Sequence, residues 1–145
     1  VEELGAGGGR LDRIYVATET SDSGSLEEAW RRKPNPGMVV EALRDFGVGG
    51  ENAMIVGDSL TDLKAAAGAG VKCRILVLTG HGREAFGPQF DPGTAKFPFA
   101  VTAENRNSFF GASFRMECFE NIVPFVVFEN FEKVVDTLKD IYRLA

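Results

Sequence analysis

Apolar positions along this chain change period several times, and each change predicts an element. Ile14-Tyr15-Val16-Ala17-Thr18 is β-branched and aromatic, which predicts a short strand over 14–18. Thr20 to Ser25 reads as a polar loop leaving it. From Pro36 the pattern becomes helical, with Met38, Val39, Ala42, Leu43 and Phe46 on one face and Gly47 as a stop. Proline suits the first helical turn because its missing N–H would be unpaired there. Ala53-Met54-Ile55-Val56 is a short apolar run of the buried-strand type, predicting a strand over 53–57. Leu60, Leu63, Ala66 and Ala67 then form a small-residue helix face that ends at Gly68-Ala69-Gly70. Ile75-Leu76-Val77-Leu78 predicts another buried strand, and Pro124 to Phe128 a last one. Val134, Val135, Leu138, Ile141 and Tyr142 share one face of a terminal helix over 134–144.

Strands alternating with helices over short connections indicate α/β architecture with a Rossmann-like parallel sheet flanked by helices. The chain reads as one domain over 1–145, interrupted by an irregular segment at about 83–121. Eleven of the twelve Phe lie between Phe86 and Phe131, which makes that part too apolar for a disordered linker. It is open as a cap, an insertion packed on the core, or a surface for a protein partner. Gly5-Ala6-Gly7-Gly8-Gly9 precedes a strand instead of following one, so it reads as a flexible turn and not as a dinucleotide loop.

Composition narrows the function classes. With 145 residues, 44% hydrophobic and 26% charged, the chain can bury one modest core. A net charge of -5 gives no basic surface for nucleic acid, and no run of Lys and Arg suggests a membrane face. No apolar stretch approaches the roughly 20 residues of a membrane helix, and no secretory pattern opens the sequence, so a cytoplasmic location is expected. Val1 in place of Met fits a processed chain or part of a longer one. Cys73 and Cys118 stand 45 positions apart with no Cys or His near either, which excludes a CxxC pair or metal cluster between them. Cys73 reads as a small buried hydrophobe.

The candidate chemistry is concentrated in two stretches. In Val56-Gly57-Asp58-Ser59-Leu60-Thr61-Asp62 a buried strand stops and two carboxylates follow, four residues apart, on the first turn of a helix. In a parallel α/β sheet that edge is where ligands bind. Two acids there suit a hard cation such as Mg²⁺ in company with a phosphate; alternatively they only complement the helix dipole. Upstream stands Arg31-Arg32-Lys33-Pro34-Asn35-Pro36-Gly37-Met38. The Pro-x-Pro segment is expected to hold Lys33 extended, where its ammonium can offset phosphate charge; alternatively Arg31 to Lys33 is a solvated charge run.

Taken in order, Arg-Lys-Pro-x-Pro-Gly-Met followed by Val-Gly-Asp-x-x-x-Asp resembles the haloacid dehalogenase-like (HAD) hydrolase superfamily. The resemblance is to its histidinol-phosphate and D-glycero-D-manno-heptose 1,7-bisphosphate phosphatase branch, over roughly residues 12–82 and 122–144. It implies a Mg²⁺-dependent phosphatase that acts on a small phosphate monoester, a sugar phosphate or histidinol phosphate, through an aspartyl-phosphate. Carried over residue by residue, Lys33 would stabilise nucleophile and phosphoryl group, and Asp58 would bind Mg²⁺. Asp62 would orient Lys33 or assist the metal, and Arg32 would touch substrate. Ser59 stands where the heptose phosphatases often carry a lysine and is the further substrate-binding candidate.

Several family features are missing. No Asp-x-Asp occurs anywhere in the chain. Asp12 lies at the wrong end of the 14–18 segment, and Asp22 lies in a Ser-rich loop with no partner acid two residues on. No Cys or His lies between Ala17 and Trp30, so the zinc loop of the heptose branch is absent. The nucleophile is therefore expected outside this chain, with the first strands of the sheet missing between those matching 14–18 and 53–57. The chain alone is expected to be inactive. His81, just past the strand ending near Thr79, reads as a substrate contact or an exposed loop histidine. The alternative to an enzyme is a non-catalytic HAD-like module that binds a protein partner or itself through exposed strand edges or the Phe-rich segment. A receiver domain would place its acidic pair first and its lysine late, the reverse of this order.

Overall fold

Three β-branched or leucine-rich runs and one Phe-Ala-Val stretch pair into a single sheet in the computed structural model, which describes residues 9–17, 26–110 and 116–142. The strands are β1 (Met54–Gly57), β2 (Cys73–Val77), β3 (Phe99–Val101) and β4 (Phe125–Phe128), in the spatial order β1-β2-β4-β3. β1, β2 and β4 are parallel, with Gly57 opposite Leu76 and Val77 opposite Phe128. The Leu78 N–H continues that ladder to the Phe128 carbonyl at 3.2 Å. Asp58, Leu78 and Glu129 thus leave three neighbouring strands along one carboxyl rim.

The helices are α1 (Leu26–Arg31), α2 (Gly37–Asp45), α3 (Leu60–Gly68) and α4 (Phe131–Tyr142). Side-chain alternation divides the core between the two sheet faces. Leu60 and Leu63 of α3 pack with Leu76, Phe125 and Val127 on one face. Val134 of α4 packs with Ile75, Val77 and Phe128 on the other. Each such buried aliphatic or aromatic side chain contributes about 1.5–3 kcal/mol by leaving water.

The Phe-rich insertion is packed on the core. Phe86 stacks on Phe110 at 5.5 Å and Phe99 on Phe109 at 5.0 Å, and Phe110 reaches Phe125 of β4 at 6.5 Å. It also supplies β3, which adds an antiparallel edge to the expected parallel sheet. Nearby, the buried Arg74 guanidinium donates to the carbonyls of Val71, Ile122 and Pro124 at 2.6, 2.9 and 3.3 Å. It ties the start of β2 to the chain entering β4.

Two expectations are corrected. Residues 14–17 form no strand. They run beside the end of α2, where the Tyr15 hydroxyl and the Arg13 guanidinium both donate to Asp45 at 2.8 Å. Ile14 and Val16 stay 63% and 56% exposed, because β propensity reflects packing in a paired sheet and no strand pairs here. Cys73 is exposed at the start of β2 instead of buried. Outside the described residues lie Gly5 to Gly8, Thr18, the loop 20–25 with Asp22, 111–115 of the insertion, and 143–144 of the terminal helix; the Cys118 side chain is likewise not described. No helix among the described residues is long and apolar enough to cross a membrane.

Candidate active site

The site begins where β1 stops. Gly57 ends the strand, and a Cβ there would lie 2.5 Å from the Asp62 side chain, so glycine lets α3 start hard against the strand exit. Ser59 is the N-cap of α3: its backbone is extended and its hydroxyl accepts from the Thr61 N–H at 3.2 Å. That cap satisfies one of the helix's orphan donors. It also fixes Asp58 before the first turn and Asp62 within it.

The second stretch enters from the other side. Arg32 to Asn35 close a tight turn, with the Asn35 N–H donating to the Arg32 carbonyl at 3.0 Å. Lys33 therefore sits in a turn and not in the extended segment expected from Pro-x-Pro. Its Nζ donates to Asp62 Oδ1 across 29 positions of sequence. The Asp62 side chain is only 13% exposed, whereas that of Lys33 is 48% exposed. The acid is held and the ammonium still faces solvent. Arg32 is half-buried immediately before Lys33.

The loop after β2 covers the same place. Gly80 adopts a left-handed backbone, φ +64°, and any Cβ on it would collide with Asp58 Oδ2. Gly82 is buried against the Val77 carbonyl. His81 stands between them, exposed, with Nδ1 3.4 Å from Glu84 Oε2. The close approach of Gly80 to Asp58 was not read from the sequence; the signal was the Thr-Gly-x-Gly that follows a buried strand at the ligand-binding edge.

Asp58 is half-buried, and its carboxylate makes no hydrogen bond or ion pair to other described residues. No group of three His, Cys, Asp or Glu capable of holding a metal occurs among the described residues. A cage made of protein alone is thus not formed. One carboxylate completed by water and substrate oxygens is the ordinary way Mg²⁺ is held beside phosphate, and Asp58 fits that pattern. An apolar cleft of about 480 Å³, lined by Met38, Val39, Leu43, Phe46 and Met54 among others, lies between α2 and β1 and includes none of these charged groups.

Comparison of the sequence with known proteins finds relatives of one kind. The HAD-hydrolase-like family profile matches residues 30–95. D-glycero-beta-D-manno-heptose-1,7-bisphosphate 7-phosphatase of Haemophilus influenzae is 38% identical over 72 residues, covering 48% of this chain and 39% of the relative. The enzyme of the same name from Vibrio cholerae is 42% identical over 77 residues, 50% of this chain and 41% of the relative. The D-glycero-alpha-D-manno-heptose-1,7-bisphosphate 7-phosphatase of Photorhabdus laumondii is 34% identical over 55 residues, 38% and 30% respectively. The matched part spans at most about two fifths of the length of these relatives. No solved structure matches. Over residues 30–95, the stretch that carries Arg32, Lys33, Asp58 and Asp62, the chain is similar to the haloacid dehalogenase-like hydrolases.

Proposed function

We propose that Lys33, Asp58 and Asp62 are the charge-neutralising part of a magnesium-dependent phosphatase centre acting on a small phosphate monoester, foremost a sugar phosphate. The observation that carries this reading is the Lys33–Asp62 pair beside Asp58 at the carboxyl rim. Phosphoryl transfer is mainly positioning plus compensation of charge on the equatorial oxygens. The exposed Lys33 ammonium compensates part of it, and Asp62 keeps that ammonium aimed at the rim. Asp58 would hold Mg²⁺, which when bound supplies further positive charge against the phosphoryl oxygens. Arg32 meets the substrate next to Lys33, while Ser59, as cap, keeps both acids at one helix end. The heptose bisphosphates in the relatives' names support a sugar phosphate over histidinol phosphate.

The attacking aspartate of an aspartyl-phosphate mechanism comes, on this reading, from residues other than these 145, since no Asp-x-Asp stands among them. Incubation with Mg²⁺ and a panel of sugar phosphates and histidinol phosphate is expected to release no phosphate above background. Inorganic phosphate is expected to bind, and Lys33→Met to weaken it about tenfold, or about 1.4 kcal/mol. Clear turnover, or phosphate affinity untouched by Lys33→Met, contradicts the reading.

A second reading, a non-catalytic module that meets a protein partner, is favoured by one observation: among the described residues β1 pairs only with β2, so its other edge is open. That reading requires no phosphate affinity at Lys33.

A further inference from the structure

The carboxyl rim continues past Asp58 into the insertion. Beyond the exits of β2 and β4 lies a pocket of about 200 Å³ lined by Leu78, Arg83, Pro92, Phe97 and Glu129. Leu78 directly follows β2 and Glu129 directly follows β4. Adjacent strands lie about 4.8 Å apart, so the β4 exit stands roughly 10 Å from the β1 exit along the same edge. Arg83 is carried by the loop whose Gly80 touches Asp58 and whose Gly82 is pinned to the Val77 carbonyl. The pocket and the charged cluster therefore share one loop and one rim.

Its chemistry is specific. Arg83 offers only donors and Glu129 only acceptors. The two charges cancel, and the structure contains no ion pair between them. Arg83 makes no side-chain hydrogen bond or ion pair to other described residues. Leu78, Pro92 and Phe97 supply an apolar wall. A second phosphate would meet Glu129 and an ammonium would meet Arg83, so neither charge is favoured. A neutral body carrying several hydroxyls can both accept from Arg83 and donate to Glu129 while its C–H face lies on Phe97. The volume is below the about 300 Å³ at which drug-sized sites begin, which suits one sugar ring or a short polyol and is too small for a nucleotide.

We infer that this pocket is a subsite for the polyhydroxylated body of the ester whose phosphate lies at Lys33, Asp58 and Asp62. The inference rests on the phosphatase reading and adds the specificity residues, Arg83 and Glu129. Both are exposed and lie outside the charge-neutralising cluster, so replacing them leaves the core intact.

The test is a binding titration of the chain, with Mg²⁺, against inorganic phosphate, glucose 6-phosphate and glycerol phosphate, followed by calorimetry and by backbone amide NMR shifts. Expected is a sugar phosphate affinity about tenfold above that of inorganic phosphate, with shifts at Leu78, Arg83 and Phe97 that phosphate alone does not cause. Arg83→Ala and Glu129→Gln should each remove most of that tenfold advantage and leave the affinity for inorganic phosphate unchanged. If phosphate shifts Lys33 and Asp62 while the sugar body adds neither affinity nor shifts in the pocket, or if both variants keep the full advantage, this inference is overturned and the phosphatase reading stands. If phosphate itself leaves Lys33 and Asp62 unmoved, both are overturned.

Discussion

Single residues set the geometry of this site more than any long-range feature. Gly47 and Gly80 both hold a left-handed backbone, φ +62° and +64°, but only at Gly80 would a Cβ meet a carboxylate, that of Asp58; at Gly47 nothing lies within 4 Å. Alanine at either position is therefore expected to cost about 1 kcal/mol in backbone strain, read as a similar fall in thermal stability. Only Gly80→Ala should also weaken Mg²⁺-dependent phosphate binding, by several-fold, because Asp58 must move. Equal binding by the two variants would separate Asp58 from the site. A second residue-scale expectation concerns Asp45. The Tyr15 hydroxyl foremost, and then the Arg13 guanidinium, hold its carboxyl below the usual carboxylate range against a partial loss of solvent. Because the folded-state value is depressed, this contact stabilises the fold above about pH 4 and is lost as pH falls through the folded value. Tyr15→Phe should move the Asp45 titration upward in a carboxyl-detected NMR experiment; an unmoved titration would leave Tyr15 without that role.

At the scale of elements, what the sequence made legible follows from period and punctuation. The α2 pattern beginning at Pro36, the β1 run, observed over Met54–Gly57, and the small-residue face of α3 appear as read, whereas Ile141 and Tyr142 of the expected α4 face stay 65% and 63% exposed. Their signals are local: helical spacing, a capping residue, a glycine stop. The 14–18 strand failed because the same β-branched residues need a paired neighbour, and in this structure Tyr15 bonds to α2 instead. β3 was invisible because three residues, Phe99 to Val101, carry no period, and their antiparallel pairing to β4 is set by the fold around them. Arg74 belongs here too, since a charged residue in a strand reads as solvent-facing, yet it is 8% exposed and bonded to three carbonyls. Arg74→Met should remove these bonds and leave the carbonyls unpaired, lowering stability by about 2–4 kcal/mol in denaturant unfolding with retained secondary structure. A loss below about 0.5 kcal/mol would mean water replaces the guanidinium without penalty.

At the scale of the whole molecule, the carboxyl rim of β1, β2 and β4 gathers the candidate chemistry of the described residues. The Lys33–Asp62 pairing could be foreseen from two motifs read in order, although nothing local to either motif shows that the chain folds to bring together residues 29 positions apart. The pocket at Arg83 and Glu129 could not be foreseen, because its members are scattered over 52 positions from Leu78 to Glu129, at two strand exits and in the aperiodic insertion between them. The most direct test of the account is the affinity of the chain for inorganic phosphate with and without Mg²⁺, measured by calorimetry beside Asp58→Asn. We expect Mg²⁺ to raise that affinity about tenfold, equivalent to about 1.4 kcal/mol, and Asp58→Asn to abolish the increase while leaving the metal-free affinity, owed to Lys33, in place. Phosphate affinity that is the same with and without Mg²⁺, or an Mg²⁺ effect that survives Asp58→Asn, would contradict it.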